Sequence, residues 1–137
     1  MNNPKLKKNL VSIGILCFNA EETILEAINS AFEQSWKNKE IILVNDCSLD
    51  NSHEKIINSI FFEKIKYYRN SNNMGPAYSR NKVLNLSDGE FICFMDDDDF
   101  SEKNRINEQI ESIYRAGYPQ NKDVISICGI KRIYPTG

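Results

Sequence analysis

The sequence lacks the features that mark several large classes of protein. It contains no N-terminal signal peptide and no apolar run near the roughly 18 residues of a membrane-spanning helix, so we expect a cytoplasmic protein. Association of a longer parent protein with the inner face of the membrane stays open. The four cysteines show no CxxC spacing, which argues against a zinc site or a disulfide framework. The 17 basic and 19 acidic residues nearly balance, so nothing points to nucleic acid as a partner.

Two phosphate-binding motifs are also absent. No GxGxxG follows the first apolar run, so a conventional dinucleotide site is not expected, and the lack of a GxxxxGK[ST] motif excludes a P-loop. A phosphorylated ligand would therefore need another partner for its charge. The single histidine, His53, lies in a polar stretch and is interpreted as a surface residue.

The chain does contain a regular alternation of short apolar runs and amphipathic stretches. The apolar runs predict five strands, at residues 11–18, 40–44, 65–68, 91–95 and 124–128. Helical periodicity predicts helices at residues 22–32, 52–61 and 76–86, and a fourth helix that stops at Gly117. Asn19 is the predicted N-cap of the first helix, with Glu22 as its capping-box partner.

This alternation of strands and helices predicts the fold class. Each strand–helix–strand unit is expected to be right-handed, and such units build a mostly parallel sheet. We therefore predict an α/β fold, a Rossmann-like three-layer sandwich, over residues 10–137 and a flexible lead over residues 1–9. The length of 137 residues suits one domain of this kind.

Polar and acidic residues gather directly after the predicted strands. They are Asn19 after the first strand, which ends at the aromatic Phe18, Asp46 after the second, the loop 70–75 after the third and Asp96–Asp99 after the fourth. Ligands of open parallel sheets bind beyond the carboxyl ends of the strands. The sequence therefore predicts a ligand site at that edge of the sheet.

The run of four aspartates predicts a divalent metal. Like charges at this density repel one another unless a cation compensates them. Mg²⁺ and Mn²⁺ bind carboxylate oxygens and commonly use one or two of them together with the phosphates of a substrate. A solvated acidic loop is the alternative, but the aspartates directly follow the apolar run FICFM, which favours the metal.

Three further residues are candidates for contacts with a nucleotide. Asp46 could accept hydrogen bonds from a base or a ribose, or it could cap a turn or a helix. Phe18 could stack on a base or pack in the core. Arg80 could face a diphosphate or form a surface ion pair.

Four sequence blocks resemble the successive signature blocks of family 2 glycosyltransferases, which have the GT-A fold. The blocks are VSIGILCFNAEETILEAINSAFEQSW, EIILVNDCSLDNS, NNMGPAYSRN and GEFICFMDDDDF, in this order. The resemblance extends over residues 10–115 and implies a nucleoside-diphosphate-sugar donor, most often UDP-linked, with Mg²⁺ or Mn²⁺ bridging its diphosphate. It also implies polysaccharide biosynthesis, with a glycan or a lipid-linked molecule as the acceptor.

The resemblance implies roles for individual residues on the nucleotide. Phe18 occupies the position of the aromatic residue beside the base, where tyrosine is usual. Asp46 matches the aspartate that hydrogen-bonds the uracil. Asn19, Glu21 and Asp97 lie in the same blocks and are assigned to nucleotide binding.

The resemblance also implies which residues meet the diphosphate and the metal. Asp96 matches the first aspartate of the DxD motif, Asp98 its metal-binding member, and Arg80 the arginine of a GxxxARN-like block. The sequence departs from the family pattern at Leu16–Cys17, where Pro-Thr is usual, and at Cys47, where glycine is usual. The cysteine suggests a slightly different loop at that point.

Transfer of the sugar requires residues that these blocks do not contain. In inverting relatives an acidic general base lies in the acceptor-binding half, so the catalytic residues are unknown and the base is expected beyond Gly137. We interpret the chain as the donor-binding part of an inverting, metal-dependent glycosyltransferase. Two alternatives stay open: a nucleotidyltransferase-like enzyme, although no glycine-rich basic loop follows the first strand, and a non-catalytic nucleotide-binding module.

Overall fold

Strands and helices alternate along the chain, as the apolar pattern predicts. The computed structural model describes residues 6–131. Its strands are β1 (Lys7–Cys17), β2 (Lys39–Asn45), β3 (Lys66–Arg69) and β4 (Gly89–Asp96). Its helices are α1 (Ile24–Phe32), α2 (Ser52–Ile57), α3 (Pro76–Leu86) and α4 (Arg105–Arg115), with a short 3₁₀ turn at Phe62–Lys64.

The strands form one parallel sheet in the order β3–β2–β1–β4. The first three strands follow one another across the sheet, whereas β4 returns to the other side of β1. The strand order therefore reverses beside β1, and open parallel sheets leave a ligand crevice beyond the carboxyl ends of strands at such a reversal. With helices packed on both faces, the sheet confirms the predicted Rossmann-like three-layer α/β fold.

Alternate side chains of the central strands lie in two hydrophobic cores, one on each face of the sheet. Ile13 and Ile15 of β1 belong to the larger core, which they share with apolar residues of α1, α2 and α4. Ile42 and Val44 of β2 belong to the smaller core, where they pack on Val83 of α3. This alternation explains why β1 and β2 appear in the sequence as continuous apolar runs, since both faces are covered.

Gly14 in the middle of β1 allows α3 to lie close to the sheet. A Cβ atom at this position would lie 2.5 Å from Cγ1 of Val83, which is closer than two carbon atoms can approach. Glycine is therefore required by this packing. Because α3 begins at Pro76, directly after the β3–α3 loop, its N-terminus lies at the carboxyl edge of the sheet.

The first helix begins later than its capping pattern predicts. Asn19 is not the N-cap: it has a φ of 52°, and α1 starts at Ile24 after the cap residue Thr23. The backbone and side chain of Asn19 instead bond the β2–α2 loop. A tertiary partner has replaced the local cap, so the predicted capping box with Glu22 is wrong.

The predicted fifth strand is not formed. Residues 121–131 contain no strand or helix, and the side chains of Ile125 and Ile127 are 88% and 89% exposed. The carbonyl of Ser126 accepts a hydrogen bond from Gln109 of α4, which places the segment beside that helix. β-branched residues favour a strand only where a neighbouring strand offers a ladder of hydrogen bonds, and the described residues offer none here.

Other boundaries are close to prediction. α3 spans the predicted residues 76–86, and α4 ends before Gly117, which has the positive φ of 98° expected of a helix stop. α2 ends at Ile57, earlier than predicted, and β1 begins at Lys7, so the boundary between lead and domain lies before residue 10. Residues 1–5 of the predicted lead lie outside the described residues.

None of the helices in residues 6–131 is long and apolar enough to cross a membrane.

Candidate functional site

The loops that follow the four strands meet at the carboxyl edge of the sheet. Register pairs Cys17 with Asn45, Asn45 with Arg69, and Leu16 with Asp96, so the strands end side by side. The polar residues that follow these strands in the sequence are therefore neighbours in space. This arrangement confirms that the predicted site residues share one edge of the sheet.

A small cleft opens between the β1 end, the β3–α3 loop and the start of α3. Its volume is about 120 Å³. The lining residues are Leu16, Cys17, Phe18, Asp46, Asn73, Gly75, Pro76 and Ser79. Phe18 is 44% exposed although it is a large aromatic residue, so its ring is available to a ligand in the cleft.

Asp46 is buried at the inner end of this cleft and accepts three hydrogen bonds. Its Oδ1 accepts from Nδ2 of Asn70 at 2.6 Å and from the backbone N–H of Met74 at 2.8 Å. Its Oδ2 accepts from the backbone N–H of Gly75 at 2.8 Å. The carboxylate therefore holds the β3–α3 loop in place, and with about four lone-pair sites it can still accept a bond from a ligand.

Cys17 lines the cleft with an unreactive thiol. Its thiol is buried, and this burial raises its pKa to about 12, with a further contribution from the charge of Asp97. A thiol with so high a pKa stays neutral at physiological pH and is a poor nucleophile. Covalent catalysis by Cys17 is therefore not a function that this geometry supports.

The β1–α1 loop is bound tightly to the β2–α2 loop. Oδ1 of Asn19 accepts a hydrogen bond from the N–H of Leu49 at 2.8 Å, and Oε2 of Glu21 accepts one from the N–H of Asn51 at 3.0 Å. In return, the N–H of Asn19 donates to Oγ of Ser48 at 3.0 Å. Asn19 and Glu21, both assigned to nucleotide binding from the sequence, thus direct their side-chain oxygens to a neighbouring loop and do not line the cleft.

The same junction includes the carboxylate of Asp50. Its Oδ2 accepts a hydrogen bond from the N–H of Glu21 at 3.0 Å, and its Oδ1 accepts one from the N–H of Ser52. Partial burial opposes its ionisation, but the hydrogen bonds from Ser52 and Glu21 outweigh burial and lower its pKa. Asp50 is therefore an ionised anchor of the two loops.

The four aspartates at the end of β4, Asp96–Asp99, differ from one another in exposure. Asp97 is half-buried, whereas the other three, Asp96, Asp98 and Asp99, are exposed. Oδ2 of Asp97 accepts a hydrogen bond from the backbone N–H of Phe18 at 2.8 Å. Burial raises the pKa of Asp97; the Phe18 N–H opposes this, and the Asp98 and Asp96 carboxylates add to the rise.

The aspartates suit a metal that arrives with a ligand. Within residues 6–131 no three His, Cys, Asp or Glu side chains are placed to hold a metal ion by themselves. The exposed carboxylates of Asp96 and Asp98 are hard oxygen donors, and neither accepts a hydrogen bond from another described residue. Mg²⁺ typically uses one or two carboxylates plus water and substrate phosphates, so the donor set fits a metal bound jointly with a diphosphate.

Arg80 lies on α3, one residue after the cleft residue Ser79. Its side chain is exposed, and it forms no hydrogen bond or ion pair with any residue that the structure describes. The surface ion pair considered from the sequence is therefore absent in this part of the chain. The structure places Arg80 near the cleft but not in its lining.

His53 is not the plain surface residue that the sequence indicates. It is half-buried, and its Nδ1 lies 2.8 Å from the hydroxyl of Tyr67, with the two rings stacked. The correction arises because α2 packs beside β3, which no feature of the polar stretch around His53 could reveal. His53 does not line the cleft.

The sequence interpretation missed three residues that build the cleft. Asn70 binds Asp46 and lies 3.2 Å from Oγ of Ser79, while Asn73 and Ser79 line the cleft directly. The available signal was the asparagine-rich loop that precedes Gly75 and Pro76. Asparagine side chains commonly bond nearby backbone in such loops, so the pattern marked a structured turn without showing its partner.

Comparison with known proteins agrees with this geometry. Residues 12–131 match the family described as Glycosyl transferase family 2. One curated relative, the UDP-Glc:alpha-D-GlcNAc-diphosphoundecaprenol beta-1,3-glucosyltransferase WfaP of Escherichia coli, is 39% identical over 74% of this chain and 40% of its own length. The chain spans less than half the length of the curated relatives that it matches first.

Solved structures give the same assignment. S. aureus TarS in complex with UDP matches with a TM-score of 0.68 and 28% identity, over 77% of this chain and 32% of the TarS chain. The mannosyltransferase PcManGT from Pyrobaculum calidifontis, in complex with GDP-Man and Mn²⁺, shares the fold with a TM-score of 0.59 at 19% identity, over 64% of this chain and 27% of its own. With the parallel sheet, the cleft at its carboxyl edge and the sequence match over residues 12–131, the chain belongs to glycosyltransferase family 2 and has the GT-A type of α/β fold.

Proposed function

We propose that this chain forms the donor-binding part of an inverting glycosyltransferase that uses a UDP-linked sugar. The observation that carries the proposal is the position of the cleft. An exposed aromatic ring, Phe18, and a buried carboxylate, Asp46, lie at one end of the carboxyl edge, and the free carboxylates of Asp96 and Asp98 lie beside them. The UDP bound to the related TarS chain supports the choice of nucleotide.

The base of the nucleotide is proposed to occupy the cleft. The ring of Phe18 stacks on one face of the base, a contact that requires an exposed aromatic side chain. Asp46 accepts a hydrogen bond from the base, using the lone pair that the β3–α3 loop leaves free. Because Asp46 is already held by three internal bonds, it meets the base in a fixed orientation.

The diphosphate is proposed to lie over the aspartates. Asp96 and Asp98 would hold Mn²⁺ or Mg²⁺, and Arg80 provides a positive charge for the phosphates from α3. When bound, the metal would act as a Lewis acid on the leaving diphosphate. The absence of a three-ligand metal group in residues 6–131 is consistent with a metal that needs the nucleotide to complete its coordination.

The acceptor is proposed to be a glycan or a lipid-linked sugar. The relative from Escherichia coli acts on a diphosphoundecaprenol-linked acceptor, which supports the lipid-linked class. A cytoplasmic enzyme at the inner face of the membrane would meet such an acceptor. The residue that deprotonates the acceptor hydroxyl is proposed to lie in the part of the relatives that this chain does not span.

Calorimetry of UDP binding tests the proposal. We expect UDP to bind this chain in the presence of Mn²⁺, and we expect EDTA to weaken that binding strongly. Asp98→Ala should weaken binding in Mn²⁺ by about 100-fold, since a ligand of the metal is lost. Asp123→Ala is the matched control, because Asp123 is also an exposed aspartate but lies outside the site, and it should bind like the unmodified chain.

Two results would contradict the proposal. The first is a folded chain that binds none of UDP, GDP and dTDP in Mn²⁺, with the same result for a longer form of the protein. This result would show that no donor site is present. Preference for a nucleoside triphosphate over every diphosphate would favour the nucleotidyltransferase alternative.

A further inference from the structure

We propose that Asp97 is a positioning residue that sets the placement of Phe18 over the cleft and contacts neither the nucleotide nor the metal. The inference rests on the proposed function of the cleft as a base-binding site. It changes the role assigned to Asp97 from the sequence, where the residue was grouped with those that bind the nucleotide. It also makes the second aspartate of the run functionally different from Asp96 and Asp98.

The hydrogen bond between Asp97 and Phe18 carries the proposal. Oδ2 of Asp97 accepts from the backbone N–H of Phe18 at 2.8 Å, although the two residues are 79 positions apart in the sequence. The parallel ladder between β1 and β4 has its last register pair at Leu16 and Asp96. Beyond that pair, the Asp97 side chain supplies the acceptor that a further ladder bond would otherwise provide to Phe18.

The location of Asp97 separates it from its neighbours in the run. Asp96, Asp98 and Asp99 are exposed, whereas Asp97 is half-buried and turned toward the β1–α1 loop. It is absent from the lining of the cleft, while Phe18 belongs to that lining. The contact that links Asp97 to the cleft is therefore its hydrogen bond to Phe18.

The consecutive backbone N–H groups of Phe18 and Asn19 bond two anchors on different strands' loops. On the β4 side the anchor is Asp97, and on the β2 side it is Ser48, whose Oγ accepts from the N–H of Asn19 at 3.0 Å. The side chain of Asn19 adds a bond to Leu49. Loss of Asp97 would leave the β2-side anchors in place, so we expect the chain to remain folded while the aromatic ring loses its fixed position.

Replacement by asparagine separates positioning from metal binding. Asn at residue 97 keeps a carbonyl oxygen of the same reach and can still accept the Phe18 hydrogen bond, but it has no negative charge. If Asp97 acts by holding Phe18, Asp97→Asn should behave like the unmodified chain. If it acts as a ligand of the metal, Asp97→Asn should be nearly as damaging as Asp97→Ala.

The test is a double-mutant cycle on UDP binding at saturating Mn²⁺. We expect Asp97→Ala to weaken UDP binding by about ten-fold, in line with the loss of one hydrogen bond to a charged group, and Asp97→Asn to remain within about two-fold. In a Phe18→Ala background, Asp97→Ala should cause no further loss, because the ring that it positions is already gone. Thermal unfolding followed by circular dichroism checks that each variant is folded.

Four outcomes have distinct meanings. Additive effects of Phe18→Ala and Asp97→Ala would overturn the inference, and so would an Asp97→Asn variant that binds as weakly as Asp97→Ala. If Asp97→Ala does not fold, Asp97→Asn alone still tests the inference. Normal UDP binding by Asp97→Asn supports the inference, and weak UDP binding refutes it. Failure of the unmodified sequence to bind UDP, GDP and dTDP, both as this chain and in a longer form of the protein, would instead contradict the proposed function itself.

Discussion

The acidic groups at the two edges of the sheet have different partners. At the amino ends of the strands, Nζ of Lys66 lies 2.8 Å from Glu40 and 3.0 Å from Asp88. At the carboxyl ends, Asp96–Asp99 form no ion pair with any residue in the described part of the chain. The amino edge therefore compensates these charges with its own lysine, whereas the four aspartates at the carboxyl edge have no counter-charge among residues 6–131.

Internal hydrogen bonds make the amino edge a structural network. Burial alone would raise the pKa of Glu40, but hydrogen bonds from Lys66 and Ser12 outweigh burial and lower it. At the other edge burial raises the pKa of Asp97 instead. A carboxylate with a lowered pKa stabilises the fold in its ionised form, whereas one with a raised pKa does not. Glu40 and, at the carboxyl edge, Asp50 therefore stabilise the fold in their ionised form, whereas the charge of Asp97 does not. We propose a division in which the acidic residues of the amino edge serve folding and the exposed Asp96 and Asp98 serve ligand binding.

The largest expected contrast is between the effects of Asp98→Ala on UDP affinity and on the free energy of unfolding. Asp98→Ala should cause the strong loss of UDP binding described above, yet its free energy of unfolding should stay within about 0.5 kcal/mol of the unmodified chain, because an exposed charge among like charges is removed. Urea denaturation measures this. A loss of several kcal/mol would show that the aspartate run is structural and would remove the distinction between the two edges.

Glu40→Ala should show the reverse pattern. The variant loses the ion pair with Lys66 and leaves the Asp88 N–H and the Ser12 hydroxyl without their acceptor. We expect a loss of about 2 kcal/mol in the free energy of unfolding, with unchanged affinity for UDP in Mn²⁺. The isosteric variant Glu40→Gln keeps an acceptor oxygen and should lose less. Weakened UDP binding by a folded Glu40→Ala variant would contradict the proposed division.

The pH dependence of the free energy of unfolding should show the contribution of Glu40 at the amino edge. Since the folded pKa of Glu40 is lowered, its contribution is present above the ordinary carboxyl pKa of about 4.3 and is lost as pH falls through the lowered value. Part of the side chain is exposed, so we expect less than about 1 kcal/mol from this group. Urea denaturation at several pH values should show a smaller acid-induced decrease for Glu40→Gln. Identical pH profiles for the two chains would refute this assignment.

The smallest effect is expected in the β2–α2 loop at the carboxyl edge. Cys47 has a φ of 60°, a conformation that side chains with a Cβ disfavour. Cys47→Gly should therefore stabilise the chain by no more than about 0.5 kcal/mol, because the greater freedom of glycine in the unfolded state offsets most of the gain. Cys47→Val should destabilise it, since a β-branched side chain tolerates this conformation poorly. Equal unfolding free energies for the three chains would show that the loop relaxes without strain.

Periodicity predicted most of the architecture because the relevant forces are local. The start of α3 follows from Pro76 at its first turn, and β2 follows from a run that is buried on both faces. The same reasoning failed at Asn19 and at residues 124–128. In each case the outcome depended on a partner distant in sequence, which was present for Asn19 and missing beside residues 124–128.

The sequence by itself determined the α/β class, the family blocks and the gathering of acidic residues at the end of β4, because apolar periodicity and composition act within short stretches. Only the tertiary structure decided what each polar atom does. It directs Asp46 to the β3–α3 loop, Asn19 to the β2–α2 loop and Asp97 to Phe18. Hydrogen bonds act over about 3 Å and depend on direction, so the partner of a side chain is set by which loops the parallel strands bring together.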